Sequence, residues 1–188
     1  MSAVTEPSTV EEIFELFSTK GQGGYGEDVT QLDHALQSAA YATKRGWSDE
    51  RVAACLLHDL GHLIVDVQDQ PEAQLADHDD HHETAGAKVL ARLFNSAVAV
   101  PVAMHVVAKR WRCATDPAYH DTLSAASKAT LIAQGGPLEG EAIARFEATA
   151  GFADAVALRE ADDAAKVPGL SVPNLESYRD LLERLVGA

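Results

Sequence analysis

Two cysteines in 188 residues are too few and too unpatterned for a disulfide framework or a zinc knuckle. Cys55 falls in an apolar helical stretch and Cys113 in what reads as a polar turn, so both are expected as free thiols in a reducing cytoplasm. No apolar run approaches the ~20 residues that a membrane span requires. Met1 to Pro7 also lack the basic-then-apolar layout of a secretory signal. Cations are scarce: 15 Lys and Arg against 29 Asp and Glu leave a net charge of −14. That balance argues against nucleic acid or an anionic membrane as a partner. No segment alternates apolar and polar residues with the period of a half-buried strand. Without repeats, low-complexity tracts or a composition break, a single domain over residues 1–188 is expected.

What is present is helix signal. The composition is 46% hydrophobic and 23% charged, that of a globular protein. Thr9 with Glu12 reads as a capping box before Ile13, Leu16 and Phe17. Leu32, Leu36 and Ala40 share a helical face, with Gly46 as the stop. Ser48 reads as the cap of one helix running through Val52, Leu56 and Leu57 to about Ile64. After an acidic, histidine-rich loop at about 66–80, helices are expected from His82 through Leu93 and from Ala97 to Trp111, with Pro101 near the first turn. Another runs from Leu123 to Gln134, ended by Gly135-Gly136-Pro137. Amphipathic stretches follow at 139–149, 152–166 and 175–186, the last capped by Asn174. The expected fold class is all-α, a compact helical bundle.

Histidine is the informative residue. Of eight, His34, His58, His82 and His105 fall on separate predicted helices that pack together, whereas His78, His81 and His120 read as loop or surface. One buried histidine is ordinarily a packing residue; one from each of several helices points to a shared ligand. His58 is followed directly by Asp59, whose two carboxylate oxygens suit it to bridge two ions. His62 lies a turn further on and faces the same cavity. Asp162 and Asp163 offer a further carboxylate, although an exposed acidic helix face is the simpler reading of that pair. Lys109, Arg110 and Arg112 gather three of the few cations, and a solvated helix end is the readier account of them. Imidazole and carboxylate without thiolate suit iron, manganese or zinc. Such a site either activates water against a phosphoester, as in a metal-dependent phosphohydrolase for a nucleotide or small phosphoester, or activates dioxygen.

The order His34, His58-Asp59, then a distant Asp162, matches the HD superfamily, and His82 (in His-Glu-Thr-Ala-Gly-Ala) and His105 match its two-metal branch. More specifically, the chain resembles the mixed-valent diiron HD oxygenases that cleave carbon–phosphorus bonds. One member acts on 2-amino-1-hydroxyethylphosphonate and a sister on its trimethylammonium analogue. The resemblance runs from about Glu27 to Tyr178. It includes Gln31-Leu32-Asp33-His34, His58-Asp59-Leu60-Gly61-His62, His105 to Arg110, Ser124 to Thr130, Gln134 to Pro137, Arg159 with Asp162, and Val167-Pro168-Gly169.

The resemblance implies an HD-domain bundle with two iron ions, mixed-valent Fe(II)/Fe(III), and O2 as co-substrate. His34, His58, Asp59 and Asp162 would hold the first iron; Asp59, His82 and His105 would hold the second. His62, Lys109, Ser127, Thr130 and Arg159 would grip the phosphonate of a small organophosphonate substrate, with Asp59, His62 and Lys109 closest to the chemistry. Glu27 would sit near a 2-amino or 2-ammonio end. The chain departs from its relatives at one place. Their tyrosine, an additional metal ligand three residues before the glutamate, is replaced by Gly24, with Tyr25 one residue later. Either Tyr25 reaches the metal through a local shift of the glycine-rich segment, or it is an ordinary loop aromatic.

Overall fold

The computed structural model describes residues 6–24, 28–64 and 81–188, and every described element is helical. In chain order these are α1 (Val10–Lys20), α2 (Gln31–Lys44), α3 (Asp49–Leu57), α4 (Leu60–Ile64), α5 (His82–Leu93), α6 (Ser96–Thr115), α7 (Pro117–Thr122), α8 (Ala125–Ala133), α9 (Glu141–Glu147), α10 (Phe152–Ala164), a 3-10 turn (Leu175–Tyr178) and α11 (Arg179–Leu185). The long α6 is the axis of the bundle, with α3, α5 and α10 packed against it and α2 against α3 and α10. Ile13, Leu56, Leu57, Leu60, Leu63, Leu90, Leu158 and Leu182 are buried between them. Each such aliphatic side chain contributes roughly 1.5–3 kcal/mol on burial. This is the all-α bundle expected. No described helix is long and apolar enough to cross a membrane.

Side-chain caps explain most of the helix starts. Thr30 and Asp33 form a reciprocal capping box on α2, and Ser48, Asn95, Asp116, Ser124 and Asn174 cap the helices or turns that follow them. At α1 only half of the expected box forms: Thr9 accepts from the Glu12 N–H, but the Glu12 carboxylate reaches back to Ser8. Gly46 closes α2 at φ +68°, a conformation that glycine adopts without strain.

Two expectations are corrected. The single helix from Ser48 to Ile64 is two helices, interrupted at His58 and Asp59. The apolar pattern of Leu56, Leu57, Leu60 and Leu63 continues unbroken across the interruption, because all four face one core. Second, α6 extends four residues past Trp111, so Cys113 is a buried helical residue and Pro101 lies in the second turn. Beyond these, the short α7, started by Asp116 and Pro117, carries Tyr119 into a small cluster with Cys113, Leu123 and Leu131.

The crossing of α4 and α5 is unusually close. A Cβ on Gly61 would stand 1.9 Å from the His82 carbonyl oxygen, and one on Gly86 would stand 3.1 Å from the Gly61 nitrogen. Gly61 therefore lets the start of α5, and with it His82, lie directly on α4.

Candidate active site

His58 and Asp59 occupy the break between α3 and α4, and their side chains meet in the buried interior. The Nε2 of His58 is 3.3 Å from Asp59 Oδ2. From α2, His34 Nε2 comes within 3.1 Å of His58 Nε2 and 3.5 Å of the same Asp59 oxygen. From α10, Asp162 Oδ1 is 3.4 Å from His34 Nε2 and 4.0 Å from His58 Nε2. The second oxygen of Asp59 faces elsewhere: Oδ1 is 3.6 Å from His82 Nε2 on α5 and 3.6 Å from His105 Nε2 on α6, and those two nitrogens are 3.3 Å apart. Two donor sets thus meet at one carboxylate, one set on each oxygen.

The spacing fits cations. Ligands each ~2.1 Å from one ion and at right angles to each other lie about 3 Å apart. Three of the rings are fixed by backbone carbonyls at Nδ1: His34 by Ala165 at 2.8 Å, His58 by Cys55 at 2.9 Å and His105 by Val102 at 2.7 Å. An Nδ1–H donated outward turns the Nε2 lone pair inward, as a metal ligand requires. Buried Asp59 Oδ2 and Asp162 Oδ1 have no hydrogen-bond donor, a costly arrangement unless a positive charge sits between them. Electrostatics agree. Burial opposes ionisation of Asp59 and Asp162, yet His58 beside the first and Arg159 beside the second hold both carboxyls well below the usual range. Burial also depresses His58, but the Asp59 carboxylate outweighs it and lifts this imidazole to about 9, whereas at His105 burial prevails and pushes it to about 3. The cavity calls for positive charge and keeps one of its imidazoles neutral. An ion at each oxygen of Asp59 satisfies both conditions.

His62 also offers a ring nitrogen within 4.8 Å of donor atoms of Asp59 and His82, so it competes with His105 for the second set. Of the two, His105 is the one that is buried and held at Nδ1. His62 is half-buried on α4, and its ring stacks flat on His82 with centroids 3.8 Å apart. It stands at the edge of the set.

Beside the carboxylates lies a cationic pocket. Lys109, from α6, is buried and donates from Nζ to Thr130 Oγ1 at 3.0 Å. Burial first, then the nearby charges of Arg159 and Lys166, push its ammonium down to about 8. Ser127, one turn before Thr130 on α8, accepts from Lys166 Nζ at 3.2 Å. Arg159 is buried on α10, pairing through Nη1 with Asp162 Oδ2 at 2.7 Å and through Nε with Asp163 Oδ1 at 2.9 Å. Its Nε also donates to the Tyr119 hydroxyl at 3.1 Å, and that hydroxyl donates to Asp163 Oδ2 at 2.8 Å.

Among the described residues, the structure therefore brings together His34, His58, Asp59, His82, His105 and Asp162, and beside them Lys109, Ser127, Thr130 and Arg159, with His62 at the edge. Asp162 and Asp163 are not an exposed face: the first is buried and the second, partly buried, holds Arg159. Lys109 is not a solvated helix end. Its neighbours have structural work instead, Arg110 donating to the carbonyls of Gly135 and Gly136 and Arg112 pairing with Asp163. His81 is exposed and His120 half-buried, and neither joins the cluster. Tyr25, Glu27 and His78 lie outside the described residues. Sequence reasoning missed Tyr119, Asp163 as a holder of Arg159, and Lys166.

No family model matches the chain. It is 43% identical to the hydroxymethylphosphonate dioxygenase of Gimesia maris, over 95% of this chain and 89% of that one. It is 36% identical to the [1-hydroxy-2-(trimethylamino)ethyl]phosphonate dioxygenase (glycine-betaine-forming) of Leisingera caerulea, over 99% and 94% of the two chains. A third relative, an uncharacterised protein of Acanthamoeba polyphaga mimivirus, is 32% identical over 92% of this chain and 80% of its own length.

Proposed function

The chain belongs to the phosphonate dioxygenase family, and we propose that it cleaves the C–P bond of a 1-hydroxy-alkylphosphonate with O2, giving a carboxylate and inorganic phosphate. The observation that carries this reading is the adjacency of two sites. Asp59 presents one oxygen to each of two imidazole sets, and the Lys109, Ser127, Thr130 and Arg159 pocket begins at Asp162, a member of the first. A 1-hydroxyphosphonate has the matching layout, an alcohol oxygen one carbon away from a dianion.

In this reading His34, His58, Asp162 and Asp59 Oδ2 hold one iron, and His82, His105 and Asp59 Oδ1 hold the other. When bound, such a mixed-valent Fe(II)/Fe(III) pair supplies the redox chemistry that O2 activation needs. The chain's own residues do the rest. Lys109 and Arg159 neutralise the phosphonate, and the hydroxyls of Ser127 and Thr130, on one face of α8, orient it. His62, stacked on His82, is placed to donate a hydrogen bond to substrate at the open edge. The buried walls exclude water, which strengthens each of these contacts. Glu27, the residue expected to meet a cationic 2-amino or 2-ammonio tail, lies outside the described residues.

The test is an assay of iron-loaded protein against hydroxymethylphosphonate and its 2-amino and 2-trimethylammonio homologues, in air and under argon, with phosphate and carboxylate both measured. The expected outcome is oxygen-dependent release of the two products in equal amounts. Phosphate release that continues under argon, or that proceeds equally with manganese or zinc, overturns the reading in favour of a metal-dependent phosphohydrolase.

A further inference from the structure

Arg159, the strongest cation of the anion pocket, has much of its charge already answered. Its Nη1 is on Asp162, and its Nε and Nη2 are on Asp163, so two carboxylates face one guanidinium. A phosphonate dianion entering beside it therefore needs positive charge from elsewhere, and Lys109 supplies only one unit.

We propose that Lys166 is the second lysine of the phosphonate pocket, working with Ser127 as Lys109 works with Thr130. The geometry repeats. Lys109 Nζ donates to Thr130 Oγ1 at 3.0 Å and Lys166 Nζ donates to Ser127 Oγ at 3.2 Å. The two hydroxyls are three residues apart on α8 and share a face. An anion laid along that face meets an ammonium and a hydroxyl at each end, with Arg159 on the α10 side. The three cations are close enough that Arg159 and Lys166 both depress Lys109.

The backbone around Lys166 is built to hold it there. Ala165, just before it, receives His34 Nδ1 on its carbonyl at 2.8 Å. Val167, just after it, is clamped at both backbone groups by the Gln37 amide, which donates to its carbonyl at 2.9 Å and accepts from its N–H at 3.0 Å. A lysine between two such tethers loses little further freedom on binding an anion, and its side chain is only 13% exposed. It stands two residues beyond the end of α10. The competing role is structural: Lys166 Nζ is also 3.8 Å from Asp162 Oδ1 and could serve only to balance that carboxylate.

This inference rests on the phosphonate reading for its ligand, but binding can be measured without turnover. The probe is inorganic phosphate, titrated calorimetrically under argon into iron-loaded wild type, Lys166→Met, Lys166→Arg and, as a control, Lys128→Met, a lysine of α8 whose Nζ instead meets the Asp121 carbonyl. Losing one charge-assisted contact is expected to weaken phosphate about ten- to a hundredfold in Lys166→Met. Lys166→Arg is expected to stay within about threefold of wild type, because the charge is kept. Lys128→Met should bind as wild type does. Iron content and melting temperature are measured on every variant. Wild-type affinity in Lys166→Met overturns the proposal, and so does a loss of affinity that tracks a loss of iron, since Lys166 would then serve Asp162 alone. Lys166-dependent phosphate binding in a wild type that oxidises no hydroxyphosphonate would leave Lys166 assigned and overturn the oxygenase reading instead.

Discussion

Replacing Gly61 with alanine should remove one metal position and spare the other. The new Cβ would lie 1.9 Å from the His82 carbonyl oxygen, 2.6 Å from its carbon and 2.9 Å from its Cα, all of them backbone atoms at the start of α5. Real Cβ atoms do not approach closer than 3.0 Å, so α5 must retreat from α4 by roughly 1 Å. Metal–ligand bonds tolerate only about 0.2 Å. His82 Nε2 rides on the first residue of that helix, so it is carried away from Asp59 Oδ1 and from His105. His34, His58 and Asp162 stand on other elements and keep their places. Overpacking of this kind costs about 1–3 kcal/mol, which lowers the melting temperature by roughly 2–12 °C at ~2–4 °C per kcal/mol for a chain of this size. Gly61→Ala should therefore bind about half the iron of the wild type after reconstitution, measured by mass spectrometry of the metal, and melt earlier in calorimetry. Gly24→Ala is the control, since a Cβ there meets nothing within 4 Å. A full iron complement with an unchanged melting temperature in Gly61→Ala would refute the reasoning.

Two further outcomes are expected. Burial with Arg159 and Lys166 nearby lowers Lys109 to about 8, so its ammonium is present below that pH and lost above it. Accordingly kcat/KM for the phosphonate should fall as pH rises through about 8, and a falling limb at the same pH in an active Lys109→Arg variant would assign it to another group. Tyr119→Phe removes the hydroxyl that accepts from Arg159 Nε and donates to Asp163, at a cost of about 1 kcal/mol. It should raise KM about fivefold with iron content and kcat little changed, and an unaltered KM would show that Asp163 orients Arg159 alone.

The gathering of His34, His58, Asp59, His82 and His105 was legible because each carries a chemical signature that survives ignorance of packing. Four histidines on four predicted helices, one of them beside an aspartate, are rarely gathered by core packing alone. The choice between Asp162 and Asp163 was not legible from the residues, since adjacent helix positions differ only in which neighbour they face, and the neighbour is α2 in one case and α7 in the other. Resemblance to relatives favoured Asp162. The break at His58 left no mark because the leucines on either side serve one core. Tyr119 was missed with its helix, which is six residues long and too short for periodicity to register. Lys166 follows the last turn of α10 and precedes Val167-Pro168, where a lysine ordinarily reads as a solvated stop. Its position depends on Gln37, far back on α2, and no local pattern announces so distant a tether.

Arg159 and Asp162 are three residues apart on α10 and joined by an ion pair. Three residues of helix rise about 4.5 Å. In the proposed reading, where Asp162 would hold a metal and Arg159 an anion, the interval between the two is a gauge cut into one rigid rod, indifferent to small movements of the other helices. A 1-hydroxyphosphonate would be measured against it by the number of bonds between its oxygen and its phosphorus. Changes that widen or narrow the cavity for a different tail can accumulate on the opposite wall without altering that measure. By the same reasoning, inserting or deleting one residue between Arg159 and Asp162 would swing the two groups about 100° apart and abolish the gauge while leaving the helix itself intact.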